Sequence, residues 1–475
     1  MKVASSAFLL QKKPLLQELI SLLQKEYEYV SVLGQDTVSK NYSVSGRGVS
    51  VSQNGMLTRK GFVIRVMDEK GYGEYACTEI RPETLPQIAA RIRQGLKKLG
   101  ELPQGTNFME KGCPADEPAV FAGASEYEIH PESMGDEAIL SRLTALRQQG
   151  LQAKEGVMDF GAGCAYQEIH KIFLSKNRDL MQDLLWTSGN LMAIARKGQE
   201  IKNAYHGCSV AGGMELLNSM EEKVQSVADT AVALLDSQPI VPGEYECVCD
   251  PDVTGMIVHE AFGHGVEMDM FVKDRALARH YVGKEVASSL VTMHDGAAVG
   301  NQTGSYFFDD EGTLAHDTVI IKNGILQTGI SDIRSAEALG TVPTGNGRRE
   351  SFERKAYTRM TNTFFEGGQD SVEDMIASIS YGFLLEAPSS GMEDPKNWGI
   401  QCMVSIAKEI KDGRLTGRIF SPIVLTGYVP DLLKSITMMS PDVKLAGGGF
   451  CGKGYKEWVK VSDGGPYIKA RIRLG

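Results

Sequence analysis

Glu244-Tyr-Glu-Cys-Val-Cys-Asp-Pro-Asp-Val-Thr-Gly-Met-Ile-Val-His-Glu-Ala-Phe-Gly-His-Gly265 decides how the second half of this chain is read. Its first six residues alternate like a strand. Asp250-Pro251 then reads as a helix N-cap followed by proline at the first helical position. Met256, Ile257 and Val258 supply apolar bulk, and Gly265 is a stop signal. The order is strand, helix, then a group of titratable side chains: His259, Glu260 and His264. Neutral imidazole is a good zinc ligand, and a glutamate beside it can take a proton from an attacking water.

The spacing is H-E-x-x-x-H, one residue longer than the familiar H-E-x-x-H. At about 100° per residue, positions i and i+4 lie roughly 40° apart on a helix, whereas i and i+5 lie roughly 140° apart. A regular helix would aim His259 and His264 in different directions. They converge only if the turn widens, as in a π-bulge, or if the helix is ending at His264. Gly263 and Gly265 make either route cheap.

A chain of 475 residues is long enough for two or three domains with sizeable cores. Its net charge of −10 argues against nucleic acid or an anionic membrane as the main partner, since either calls for clustered Lys and Arg. No apolar run reaches the ~18 residues of a membrane span. The opening Met1-Lys-Val-Ala-Ser-Ser-Ala-Phe-Leu-Leu10 imitates a signal peptide only faintly and reads as part of the mature fold. Eight Cys are too sparse for a disulfide scaffold, which fits a reducing, cytoplasmic setting.

Periodicity predicts helices over 14–26, 83–99, 136–149 and 214–236; in the second of these Leu85, Ile88, Ile92 and Leu96 recur every three or four residues. Short strands are expected between the first two, with hairpins at Asn54-Gly55 and Lys70-Gly71, and a turn at Gly189-Asn190 within 173–197. The Pro-, Gly- and Glu-rich stretch 101–132 is expected to cross the surface. Downstream, Asn323-Gly324 and Asp412-Gly413 are strong hairpin signals. The class is α+β with antiparallel sheets rather than alternating βαβ units. Gln238-Pro239 and Pro242-Gly243 mark the boundary between an N-terminal domain, 1–237, and a C-terminal one, 238–475.

A catalytic zinc site needs a third protein ligand and one open position. Cys451, Cys402, Cys247, Cys249, Glu267, His280, His294 and His316 are the candidates. Cys451 stands out because Ala446-Gly-Gly-Gly-Phe-Cys-Gly-Lys-Gly454 is a glycine-dense loop that lets a thiolate approach a metal, although a buried turn cysteine looks the same. Asp309-Asp310-Glu311-Gly312 and Arg348-Arg349 could hold a substrate carboxylate or form a structural ion network. No phosphate-binding glycine motif is present.

Taken together, the chain resembles the TldD/PmbA family, in its TldD-type, metal-bearing branch. The resemblance rests on His259-Glu-Ala-Phe-Gly-His-Gly-Val-Glu267, Asp309-Asp-Glu-Gly312, Pro343-Thr-Gly-Asn-Gly-Arg-Arg-Glu-Ser351, Arg359-Met-Thr-Asn-Thr363 and Phe450-Cys-Gly-Lys453, in the family's order. It implies an N-terminal α/β part with short antiparallel strands and helices, then a C-terminal part on an antiparallel, barrel-like sheet carrying the metal helix. It implies a zinc metallopeptidase with His259, His264 and Cys451 as ligands and Glu260 as general base. It also implies a dimer, with itself or with a PmbA-type chain that lacks the motif, and a substrate that is an unfolded or unstructured peptide, modified peptide precursors included. The alternative is a non-catalytic binding or dimerisation subunit, against which the intact ligand set speaks. The chain departs from the family's pattern at Gly454-Tyr-Lys-Glu-Trp-Val-Lys460 and across 265–308. These departures bear on substrate preference and partner surface, not on the metal site.

Overall fold

Three long antiparallel strands, Tyr29–Ser45, Val157–Leu174 and Arg178–Lys197, form the spine of the N-terminal half. The computed structural model describes every residue except 56–57, 69–70, 101–115, 448 and 455–456, and only the backbone at 71 and 98–100. Among the described residues the three strands belong to one eight-stranded sheet. Successive side chains of a strand face opposite sides. On one side, Val30 and Val32 pack under the helices Ala7–Leu23 and Leu85–Gly100, and Tyr42 and Val44 under Asp136–Ala153 and Leu216–Ala233. Each such side chain contributes about 1.5–3 kcal/mol on burial. On the other side, Leu33 joins Val63, Phe173 and Leu180 against Phe308 and Phe352 of the C-terminal half.

Two local expectations fail here. Gly189-Asn190 is not a turn: it lies mid-strand, with Gly189 opposite Cys164 on one side and Cys208 on the other. The glycine answers a packing demand, since a Cβ there would sit 2.4 Å from Met220 Sδ on the covering helix. Nor does Asn54-Gly55 close a hairpin between its flanking strands, because Gly48–Gln53 and Arg59–Asp68 both pair with Tyr29–Ser45. Lys70 lies outside the described residues, but Asp68 pairs with Gly71 across it. Of the expected surface stretch, 101–115 is likewise outside them. Ala119–Ala124 enters the sheet as a strand parallel to the start of Arg178–Lys197.

In the C-terminal half five strands close into a barrel: Tyr381–Asp394, Gly243–Cys249, Ile468–Leu474, Ile423–Tyr428 and Gly399–Lys411, the last pairing back onto the first. All neighbours are antiparallel apart from Tyr381–Asp394 beside Gly243–Cys249. Cys247, Cys249, Leu385, Cys402 and Leu425 are fully buried in its core. Both expected two-residue hairpins form, at Asn323-Gly324 and Asp412-Gly413. A second sheet runs through Met293–Asp295, Asn362–Phe365 and Ser462–Gly465. The helix Pro251–Val258 leaves the barrel strand Gly243–Cys249 and packs against both sheets. No helix among the described residues is long and apolar enough to cross a membrane.

Candidate metal centre

The Asp250 carboxylate accepts a hydrogen bond from the Val253 N–H at 2.8 Å, and Pro251 occupies the first helical position, as the sequence predicts. The helix is regular through Val258 and then widens. The His264 N–H donates to the His259 carbonyl, five residues back rather than four. A tight turn, His264–Val266, follows, and Glu267 is extended. Widening and ending therefore both occur, and the two imidazoles meet with ring centroids 5.1 Å apart and planes at 85°. Cys451 arrives on the strand Phe450–Lys453, which pairs with Glu457–Lys460. Donor atoms of His259, His264 and Cys451 all lie within 4.8 Å of one another, and Cys451 Sγ is 3.3 Å from His264 Nε2.

Behind this trio stand groups that orient it. Glu267 Oε2 lies 3.3 Å from His264 Nδ1, and Lys453 donates to the same Glu267 oxygen at 2.9 Å and to Asp269 at 2.7 Å. Arg359 donates to the Cys451 carbonyl at 2.7 Å. Asp463 Oδ2 sits 3.5 Å from His259 Nδ1, too long to satisfy that buried nitrogen fully. Each imidazole thus has a carboxylate on Nδ1, which leaves Nε2 for the centre, the usual support for a metal-bound histidine. Glu267, one of the alternative ligands, is spent on this role.

The charges fit a metal as well. Burial opposes ionisation of the Cys451 thiol, but His264 and His259 outweigh it and hold its pKa well below the usual thiol range. Burial likewise opposes charging His264, and the Cys451 thiolate with Glu267 reverses that. A divalent cation would displace the imidazole protons and keep the thiolate. Two imidazoles and one thiolate within 4.8 Å are a donor set that zinc accepts.

The remaining candidates are elsewhere. Cys247, Cys249 and Cys402 are buried in the barrel, where desolvation pushes their thiols up. His294 is held between Asp317 and Glu366, each at 2.7 Å, His280 lies 3.4 Å from Asp274, and His316 is exposed. The Asp309–Glu311 segment is a structural knot: Asp309 accepts from the Gly347, Glu311 and Thr313 N–H groups, Asp310 from Arg349 N–H and Lys171, and Glu311 from Arg65 and Ile333 N–H. Arg349 pairs with Glu74, and Arg348 donates to the Met360 and Lys460 carbonyls. Arg65, Glu74 and Lys171 belong to the N-terminal half, so the knot ties the halves together.

Glu260 lines a cleft of about 540 Å³ with His259, Asp463, Tyr205 and Ser389. Burial raises its pKa, against the pull of His259 and His264. The strand Tyr381–Asp394 passes so near that a Cβ on Gly391 would lie 2.4 Å from Glu260 Cγ. Sequence reasoning gave no role to Asp463, Lys453 or Gly391. Lys453 shared a motif with Cys451, while Asp463 sits in a plain Ser-Asp-Gly-Gly strand with nothing to flag it.

Residues 242–472 match the PmbA/TldA metallopeptidase C-terminal domain. A metalloprotease of Methanothermobacter thermautotrophicus is 28% identical over 415 residues, 86% of this chain and 87% of that protein. The chain belongs to the TldD/PmbA family. Two TldD homologues agree. A metalloprotease from Buchnera aphidicola subsp. Acyrthosiphon pisum is 35% identical over 240 residues, 50% of this chain and 49% of its own length. A zinc metalloprotease from Saccharolobus solfataricus is 27% identical over 315 residues, 65% of this chain and 70% of its own. The match thus spans only about half of the Buchnera relative. The TldD/PmbA fold is shared by TldE from Thermococcus kodakarensis, with a TM-score of 0.74 at 18% identity over 96% of this chain and 99% of that one. A Thermotoga maritima protein matches with a TM-score of 0.77 at 16% identity over 98% and 100%. As a TldD/PmbA chain with a metallopeptidase domain and a His/His/Cys group able to hold a metal, it is a zinc-dependent hydrolase.

Proposed function

We propose that the chain cleaves peptide bonds in unfolded or unstructured peptides, modified peptide precursors included, with His259, His264 and Cys451 holding zinc and Glu260 acting as general base. The observation that carries this reading is the convergence of three donor atoms, each kept in place by a neighbour, beside a carboxylate in an open cleft. Bound zinc would supply Lewis-acid polarisation of the scissile carbonyl and acidify water. Glu260 takes the proton from the attacking water and passes it to the leaving amine, a transfer worth about 10²–10⁴-fold. Its raised pKa suits the second half of that task. Asp463 and Glu267 fix the two imidazoles, and Arg359 fixes the Cys451 backbone.

The cleft supports an extended substrate. One wall is Glu200–Val210, an edge strand paired only with Arg178–Lys197 among the described residues, and the facing wall is the Ala387–Ser390 stretch. An extended peptide offers its backbone to both, and a folded domain cannot enter. We assign 1–237 to an N-terminal domain and 238–475 to the metallopeptidase domain, and take the working unit to be a dimer, with a second copy or a PmbA-type chain, that encloses the cleft. Metal analysis tests the ligand set: wild type carries one zinc per chain and Cys451→Ser loses it, whereas full occupancy in that variant would refute Cys451 as ligand. Sedimentation tests the assembly, and a fully active monomer would refute it.

A further inference from the structure

A second cavity, of about 80 Å³, lies between the two halves of the molecule, bounded by Thr37 and Trp186 of the N-terminal sheet and by Tyr306, Phe450, Trp458 and Lys460 of the C-terminal half. Lys460 is 6% exposed, and its ammonium has no hydrogen-bond partner. It lies over the rings of both Trp186 and Phe450, which meet edge to face, 4.7 Å from each centroid. Two rings attract a desolvated ammonium, by about 2 kcal/mol each at best, but they leave its N–H donors without acceptors. Burying an ammonium without a partner costs several kcal/mol.

The other charged groups around this cavity are committed. Lys171 is taken by Asp310, Arg349 by Glu74, and Arg348 by two backbone carbonyls. Asp309 and Asp310 accept from backbone N–H groups, and Glu350 from the Trp458 N–H. Burial pushes the Lys460 ammonium down to about 7, against the attraction of Asp463. The site therefore presents one buried amine with no acceptor beside it, which an incoming carboxylate would hold in its charged form, and an aromatic wall. Its volume exceeds that of two liquid waters, roughly 30 Å³ each, and is enough for one small anionic headgroup.

Position supplies the rest. Lys460 is the direct cross-strand neighbour of Phe450, as Val459 is of Cys451. Phe450 lines both this cavity and the cleft over Glu260. A peptide seated in the cleft could pass a group around Phe450 to the ammonium.

We infer that Lys460, framed by Trp186 and Phe450, is a carboxylate subsite of the substrate cleft, so that the enzyme selects peptides that bring a carboxylate, either the chain's own C-terminus or an acidic side chain, close to the scissile bond. This rests on the peptidase reading and extends it from peptides in general to acidic ones.

The test measures binding apart from turnover. Zinc-loaded Glu260→Gln protein is titrated calorimetrically with three N-acetylated Ala/Gly hexapeptides: one ending in a free carboxylate, one amidated, and one amidated with a single internal Glu. At least one acidic peptide is expected to bind ~10-fold or more tightly than the neutral one, the usual worth of a charged hydrogen bond. Which acidic peptide gains identifies the source of the carboxylate. Lys460→Met on the Glu260→Gln background should bring all three within about twofold. Equal or undetectable binding of the three peptides by the Glu260→Gln protein overturns the inference, and so does discrimination that survives Lys460→Met. The first comparison needs no change at Lys460, so it decides even if that variant misfolds. Failure of the wild type to cleave any of the peptides would count against the peptidase reading alone.

Discussion

Around Asp309, Asp310 and Glu311 every carboxylate oxygen accepts at least one hydrogen bond, from backbone N–H groups or from Arg65 and Lys171. Around His259, His264 and Cys451 the donor atoms face one another instead, and the outer imidazole nitrogens each face a carboxylate, Glu267 at 3.3 Å and Asp463 at 3.5 Å. Both regions are buried, rich in charge, and drawn from motifs with glycine close by. One has spent its lone pairs on holding two halves of a molecule together. The other has kept them pointing inward. What separates a structural charge cluster from a chemical one here is the direction of the uncommitted lone pairs, not composition or burial.

That contrast can be broken most directly at a proposed zinc ligand. His259→Ala should lose the zinc, and turnover should fall to the metal-free background, with little change in thermal stability beyond that of the apo wild type. Emission spectrometry beside a cleavage assay reads this, and a His259→Ala protein that keeps both zinc and activity would place the centre elsewhere. In the other cluster, Glu311→Gln removes one of the two carboxylates facing buried Arg65 and should cost about 1–3 kcal/mol of stability, because that cation keeps only Glu74 as its counter-charge. Its zinc content should stay at one per chain. Denaturant unfolding and metal analysis on the same sample check it; lost zinc with unchanged stability would erase the distinction. A smaller effect is expected at the rim of the centre. Asp463→Asn should weaken zinc binding by about 10–100-fold without abolishing it, as removal of a carboxylate behind a liganding imidazole does. Competition with a graded series of chelators measures this, and an unchanged affinity would show that the 3.5 Å approach to His259 does no orienting.

Much of this was legible in the sequence wherever the signal is local. The N-cap at Asp250, the proline after it and the extra residue between the histidines foretell a helix that must widen or stop, and it does both. Asn323-Gly324 and Asp412-Gly413 close hairpins because a two-residue turn needs little beyond its own two residues. Gly189 was misread because a glycine that admits a helix looks the same as a glycine that turns a chain. Closure of the barrel was not legible from residues: it depends on the parallel pairing of Gly243–Cys249 with Tyr381–Asp394, far along the chain and without a turn to announce it. Resemblance alone supplied the barrel. Cys451 stood out only as a cysteine among glycines, and Asp463 not at all, since its strand reaches the centre by pairing with Asn362–Phe365, far back along the chain.

The central claim is that Glu260 performs chemistry beside a metal it does not hold, and one paired measurement on Glu260→Gln tests it. Zinc content and the initial rate of peptide cleavage are determined on the same preparation. The account predicts one zinc per chain, as in the wild type, with a rate lower by about 10²–10⁴-fold. Cleavage at the wild-type rate by the zinc-loaded variant would contradict it.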